Sequence, residues 1–366
     1  MRVAIVHYWL TAMAGGERVL EALCRMYPQA DIYTHALNRR ALSPTIARHS
    51  IRTTFIDRLP GGRRHYQRYL PLMPFALEQL DMTGYDLVLS SESGPAKGVV
   101  TRADTPHVCY CHTPMRYVWD HWPQYMASAG LVTRLGMRLF LPYLRRWDLA
   151  SSFRVDRFVA NSRTVRRRIR KHWRREAEVV YPPVNVNGFT RKEKAGGEFY
   201  VFLGRLIDYK RADIAVEACS RLNRPLVVVG DGGESDRLKA KAAPCVRFAG
   251  RLDDGSVADL LRRGRALLFP GEEDFGIVPV EAAASGLPVL AYARGGATET
   301  VVDGVTGLFF HEQSADALEK CLLEFERREH DFDPAAMRRH AGQFSEENFR
   351  EGFSRQVELA LAGIRA

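Results

Sequence analysis

The chain has 366 residues, 46% of them hydrophobic, with 18 prolines and a net charge of +10. That length accommodates two domains of ordinary size, and the composition is normal for a soluble α/β protein. No apolar run reaches the roughly 18–20 residues of a membrane span, and the opening Met-Arg-Val-Ala-Ile-Val-His is interrupted too soon for a signal peptide. A cytoplasmic location is expected.

The charge is unevenly spread. Between residues 134 and 175 the basic side chains run from Arg134 and Arg138 through Arg145, Arg163, Arg166, Arg167 and Arg170 to Arg175, against only Asp148 and Asp156. So dense a basic face expects an anionic partner, whether nucleic acid, a lipid surface or a phosphorylated acceptor. The six cysteines are scattered. Cys109 and Cys111 share one face of an apparent strand with no second pair to complete a zinc site, so buried structural thiols are expected and no metal.

In chain order, Val3 to His7 reads as a first strand, leading through Gly15 and Gly16 into a helix that begins near Glu17. Glycines there let backbone amides approach a phosphate or a substrate ring. Residues 57–80 interleave Arg63, Arg64 and Arg68 with Tyr66, Tyr69, Leu72, Met73 and Phe75. That pattern fits an interfacial segment or a basic surface over a core-facing stripe. Tyr85 to Ser90 is a further strand, and Pro106 to Cys111 another, delivering His112 at its carboxyl end, where doubly wound sheets bind ligands. Residues 129–150 form an amphipathic helix with Leu131, Leu135, Leu139, Phe140 and Leu144 among arginines, explained by lipid docking or by core packing. Phe158 to Ser162 is a strand whose Asn161-Ser162 caps a very basic helix.

Tyr181 to Asn185 breaks regular structure, and the glycine- and charge-rich Arg191 to Glu198 follows. The expected domains are 1–188 and 189–344. In the second, Phe199 to Leu203 is a strand and Gly204-Arg205-Leu206 opens the loop that holds Lys210. Arg205 and Lys210 leave one strand end and can both reach a diphosphate, one as a fork and one as a point charge. Leu226 to Val229 and Val246 to Leu252 follow. Strands alternating with helices imply mostly parallel sheets, each domain Rossmann-like.

Residues 272–289 then hold two carboxylates, Glu273 and Glu281, around a turn and a short helix. Pro279 suits the first helical position and Gly286 the stop, which puts Glu273 in a loop and Glu281 in the first turn. The amides of Phe275, Gly276 and Ile277 form an anion site at the helix start. Carboxylates beside a phosphate-sized hollow suit a ligand with both phosphates and hydroxyls, a nucleotide-sugar.

Gly15-Gly16, His112, Gly204-Arg205-Leu206 with Lys210, and Glu273/Glu281 within Phe-Gly-Ile-Val-Pro-Val-Glu-Ala together resemble the retaining glycosyltransferases of family 4 over almost the whole chain. Cys-His-Thr-Pro-Met-Arg-Tyr and Tyr-Lys-Arg-Ala-Asp look like a branch of bacterial mannosyltransferases that build O-antigen and capsular polysaccharide. The resemblance implies the GT-B fold: two Rossmann-like domains facing each other across a cleft, the first binding acceptor and the second donor. It also implies a C-terminal helix, 345–366, packing back on the first domain. Arg205 and Lys210 would then stabilise charge on the leaving diphosphate. Glu281 would bind the ribose hydroxyls, and Glu273 the donor sugar with the amides of Phe275 and Gly276. His112 would contact the sugar and Gly16 the diphosphate. The base would lie near Phe248 to Leu252, with Arg251 and Leu252 beside it. Arg211 departs from the pattern, since many relatives have glycine there, and it is expected to add charge near the donor.

The implied reaction is transfer of a hexose, mannose from GDP-mannose first, to a lipid-linked saccharide without a metal or other cofactor. The enzyme would be peripheral on the inner face of the plasma membrane, its acceptor and lipid contacts drawn from Gly15, Arg63, Arg64, Arg68, Arg134 and Arg138. A uridine-sugar transferase or a non-hydrolysing epimerase shares the expected fold. A nucleic-acid-binding reading leaves Glu273 and Glu281 unexplained, so no nucleic acid is expected as partner.

Overall fold

The computed structural model describes residues 1–120, 122–128, 130–189 and 197–365. Of the stretch read as Arg191 to Glu198, residues 191–196 lie outside the described residues. Two compact units divide the chain: residues 1–183 with 349–366, and residues 184–348.

The first unit holds β1 (Val3–His7), β2 (Asp31–Thr34), β3 (Ile51–Thr53), β4 (Leu87–Glu92), β5 (His107–Cys111), β6 (Arg157–Ala160) and β7 (Ala177–Val179). All pair in parallel, in the order β3-β2-β1-β4-β5-β6-β7. Strands buried on both faces need apolar residues at successive positions, which Val-Ala-Ile-Val supplies. Alternate residues then serve opposite faces. Val3, Ile5, Leu87 and Leu89 enter one core with Phe349, Phe353 and Val357 of the C-terminal helix, Glu346–Arg365. Ala4, Val6 and Val88 enter the other, with Leu141, Leu144 and Trp147 of the helix Leu131–Ser152.

The strands differ from the sequence reading at their ends. β4 starts at Leu87 and runs to Glu92, later than Tyr85 to Ser90, because Leu87 pairs with Val3. Tyr85 is instead held outside the ladder by its hydroxyl, which donates to Asp31 Oδ2 at 2.6 Å. The first helix begins at Gly15, two residues before Glu17, since the Glu17 carboxylate reaches back to the Ala14 N–H at 3.0 Å and closes the turn. Gly15 and Gly16 therefore lie within the first helical turn. Asn161 and Ser162 fall outside β6, and Ser162 caps the helix Arg163–Trp173 as expected, accepting from the Val165 N–H at 3.0 Å.

The second unit repeats the scheme with β8 (Tyr200–Leu203), β9 (Leu226–Val229), β10 (Val246–Gly250), β11 (Leu267–Phe269), β12 (Val289–Tyr292) and β13 (Gly307–Phe310). Its parallel order is β10-β9-β8-β11-β12-β13. Strand order reverses between β1 and β4 in the first sheet and between β8 and β11 in the second, and doubly wound sheets bind ligands at such reversals.

A buried ionic cluster braces the first reversal. Lys97 is 0% exposed and lies 3.3 Å from Glu92 Oε1 while also bonding Asp148. Asp148 Oδ2 accepts from the indole N–H groups of Trp119 and Trp173, each at 2.7 Å. Glu92 Oε2 accepts from the Ala96 and Lys97 amides. Burial, reinforced by Asp148, drives the Glu92 carboxyl up against the pull of Lys97. The cluster ties the loop after β4 to two helices. Replacing Lys97 with Met should destabilise the protein by about 3–5 kcal/mol, because two buried carboxylates lose their counter-charge. Urea unfolding followed by circular dichroism measures it.

Candidate active site

In the second unit the two strands that flank the reversal supply the charged groups. β8 is followed by Gly204, exposed Arg205 and buried Leu206, and a 3-10 turn over Asp208–Lys210 brings Lys210 back toward the sheet. β11 is followed by Pro270 and Gly271, after which Glu273 forms an ion pair with Lys210. The two side chains are 16% and 18% exposed, so the pair is largely shielded yet open to a ligand. Lysine and carboxylate hold each other at the strand ends.

The helix after Glu273 spans Ile277–Ala284. Gly276, at φ 88°, occupies the left-handed region that only glycine enters freely, and it turns the chain so that Ile277 is the first helical residue. Pro279 is therefore the third helical position rather than the first, and Glu281 lies in the second turn rather than the first. Glu281 is buried, 8% exposed, as is Phe275, whose ring meets Phe344 edge-on. The helix stops as read, at Ser285 with Gly286 at φ 71°.

Gly295 and Gly296, which the sequence reading passed over, shape the same loop. The Gly296 N–H donates to the Glu273 carbonyl at 2.7 Å. A Cβ on Gly295 would lie 2.3 Å from the Glu273 carbonyl oxygen, and one on Gly296 2.1 Å from that of Phe275. A Gly-Gly pair following a buried strand was the available signal, the same one that drew attention to Gly15-Gly16.

Arg211 adds less charge near the donor groups than expected. It sits at φ 54°, which costs a non-glycine residue about 1–2 kcal/mol and suits a glycine at that place. Its guanidinium is engaged by Asp213 at 3.0 Å and by Gln313 at 3.2 Å, so its charge is compensated. Arg251 and Leu252 are exposed just past β10.

In the first unit, His112 follows β5 directly, and its Nε2 lies 2.8 Å from Ser91 Oγ on β4. Burial, with the neighbouring His7, lowers its pKa to about 3, so it is neutral at physiological pH. A Cβ on Gly16 would lie 2.1 Å from the Tyr8 hydroxyl, so the first helix approaches β1 closely there. Gly15 precedes it in the same turn.

The basic residues divide. Arg63 is tied to Asp57 at 2.9 Å, while Arg64, Arg68 and Arg138 are exposed and Arg134 is half-buried. The helix Leu131–Ser152 divides along its length between core and surface. Leu141, Leu144 and Trp147 pack on the core, whereas Leu131, Leu135 and Leu139, four residues apart on one face, are 83%, 72% and 70% exposed. All six cysteines are free thiols.

Replacing Gly296 with Ala should displace the Phe275 backbone and cost the second unit its ligand while the fold survives. Titration with nucleoside diphosphates is expected to show at least about tenfold weaker binding, the effect of misplacing a charged hydrogen-bonding group. An unchanged far-ultraviolet circular dichroism spectrum checks the fold.

Comparison with known proteins agrees with this geometry. Residues 13–187 match the family model described as Glycosyltransferase Family 4, and residues 188–345 match that of Glycosyl transferases group 1. A curated relative, the D-rhamnosyltransferase WbpZ of Pseudomonas aeruginosa, is 30% identical over 194 residues, covering 48% of this chain and 50% of that protein. The match thus spans about half that relative's length. Among solved structures, Anabaena HepE in complex with UDP aligns with a TM-score of 0.72 at 16% identity, covering 98% of this chain and 100% of its own. A sucrose-phosphate synthase from Thermosynechococcus elongatus aligns with a TM-score of 0.72 at 18% identity, covering 99% and 100%. With both halves matched by family models and the two parallel-sheet units in place, the chain belongs to the family 4 glycosyltransferases of GT-B fold.

Proposed function

We propose that this enzyme is a retaining hexosyltransferase that moves mannose from GDP-mannose onto a lipid-linked saccharide in cell-surface polysaccharide assembly. The observation that carries the reading is the Lys210–Glu273 ion pair at the strand reversal of the second sheet, with exposed Arg205 on the adjoining loop. On donor binding, Lys210 and Arg205 take the diphosphate, Glu273 takes sugar hydroxyls with the Phe275 and Gly276 amides, and buried Glu281 takes the ribose. The bond from the anomeric carbon to the phosphate oxygen breaks while the acceptor hydroxyl bonds the same face of that carbon, its proton passing to the departing phosphate. The growing charge on that phosphate is the main electrostatic demand, and two side-chain cations meet it in place of a metal.

The manno configuration is supported by the D-rhamnosyltransferase relative, since D-rhamnose is 6-deoxymannose. A uridine sugar is the second reading, UDP being the nucleotide held in the HepE structure. Thermal shift and nucleotide release with GDP-mannose, UDP-glucose, UDP-galactose and UDP-GlcNAc decide between them, and GDP-mannose is the expected winner. Glu273→Ala should weaken binding of that donor about tenfold or more. Intact donor binding in that variant would overturn the assignment of Glu273.

The acceptor's lipid sets a second requirement, met by the exposed Leu131, Leu135 and Leu139 stripe beside Arg138. No helix of the described residues is long and apolar enough to cross a membrane, so the contact proposed is with the surface. Each arginine near an anionic leaflet contributes about 1 kcal/mol. In sedimentation with phosphatidylcholine vesicles, binding should require added phosphatidylglycerol. Exchanging the three leucines for serine should abolish it while donor binding stays unchanged.

A further inference from the structure

Four polar side chains form a line at the carboxyl edge of the first sheet. Register places His7, the last residue of β1, opposite Ser91 of β4. His7 Nδ1 lies 3.0 Å from Ser91 Oγ, and the same Oγ lies 2.8 Å from His112 Nε2. At the other end His7 Nε2 faces Glu17 Oε1 at 3.6 Å and has no hydrogen-bond partner among the described residues. The second carboxylate oxygen of Glu17 is committed, accepting from the Ala14 N–H at 3.0 Å. His7, Glu17 and Ser91 are 0%, 4% and 0% exposed. The rings of Tyr8 and Tyr110 flank His112 edge-on.

Proton positions follow along the line. A bare lone pair on His7 Nε2 would face a buried carboxylate, where repulsion is poorly screened, so Nε2 carries hydrogen. At 3.6 Å the contact is longer than the 2.7–2.9 Å of a tight charge-assisted pair, which favours neutral His7 over an imidazolium. Its Nδ1 then accepts the Ser91 hydroxyl hydrogen. Ser91 Oγ, its one hydrogen spent, must accept, and the N–H it accepts is on His112 Nε2.

We infer that Glu17, acting through His7 and Ser91, sets the tautomer of His112, with the proton on Nε2 and the lone pair on Nδ1 as a hydrogen-bond acceptor for a ligand hydroxyl. Glu17, His7 and Ser91 are positioning residues. Only the naming of that hydroxyl as a sugar's rests on the proposed transfer reaction. Neutral His112 keeps the line unambiguous across the physiological range, its pKa held down by burial.

The variant Glu17→Gln makes the test sharp. The Ala14 N–H still demands an oxygen, so the amide oxygen of the new side chain turns to it and the NH₂ turns to His7. His7 Nε2 must then accept, Nδ1 donates to Ser91, the Ser91 hydroxyl donates to His112 Nε2, and the proton of His112 moves to Nδ1. Ring-¹⁵N-labelled protein reads this directly in long-range ¹H–¹⁵N spectra, with His112 identified by the signal lost in His112→Asn. The expected result is an Nε2–H His112 in the native protein and an Nδ1–H His112 in Glu17→Gln. In a Ser91→Ala background the Glu17 substitution should leave the His112 signal unmoved. An Nδ1–H native tautomer, as a doubly protonated His7 would impose, overturns the inference; so does a tautomer that ignores Glu17→Gln in a folded protein. For transfer, Glu17→Gln should lower kcat about tenfold or more with nucleoside diphosphate binding unchanged, since an acceptor has become a donor. The tautomer is read without substrate, so a protein that turns over no nucleotide-sugar sinks the transfer reading and leaves this one standing.

Discussion

Both sheets are parallel and covered on both faces, and this constraint decides where everything else goes. A strand buried on two sides accepts polar atoms only where they find partners, so chemistry collects at the carboxyl edge, where strands give way to loops. In the first unit His7 ends β1, Ser91 and Glu92 end β4, and His112 follows β5. In the second, Arg205 and Lys210 follow β8, and Glu273 follows β11. Strand order reverses at β1/β4 and β8/β11, beside these side chains.

The two edges handle charge differently. At the second, Lys210 and Glu273 meet in a pair that is shielded only in part. At the first, Lys97 is buried outright and paired with Glu92 and Asp148. A buried group with its partners fixed has one geometry available. The first edge therefore presents orientation and the second presents charge.

Much of this was legible in the sequence because parallel strands and their loops leave local signatures. Runs such as Leu-Val-Val-Val announced strands, and Glu273, Lys210 and His112 were found by their place after such runs. What escaped notice depends on side-chain contacts and backbone angles, some within a single turn and some between distant segments, that the residue pattern does not announce. The Ala14 amide drew the first helix back to Gly15 through the side chain of Glu17. A glycine in the left-handed region moved the other helix start from Pro279 to Ile277. Arg211 was expected to add charge near the donor, and its engagement by Asp213, two residues on, and by distant Gln313 is a product of the folded loop. Gly295 and Gly296 were passed over because the carbonyls they make room for belong to residues some twenty positions earlier. The split of the helix Leu131–Ser152 between core and surface could not be read from a periodicity that runs through both halves.

The C-terminal helix carries a consequence for how the chain is made. Residues 184–348 form one contiguous unit, while the first unit is interrupted by it and takes up Phe349, Phe353 and Val357 only afterwards. Phe349 and Phe353 are 1% and 0% exposed, and both rings stand against Tyr110 of β5. During synthesis, the second unit is thus complete before the first has received the last wall of its core. Until the ribosome has released those residues, the helix Gly15–Met26 covers that core only in part. A nascent chain halted before Phe349 exposes the apolar residues that Phe349, Phe353 and Val357 would seal, of the kind that chaperones hold and proteases find.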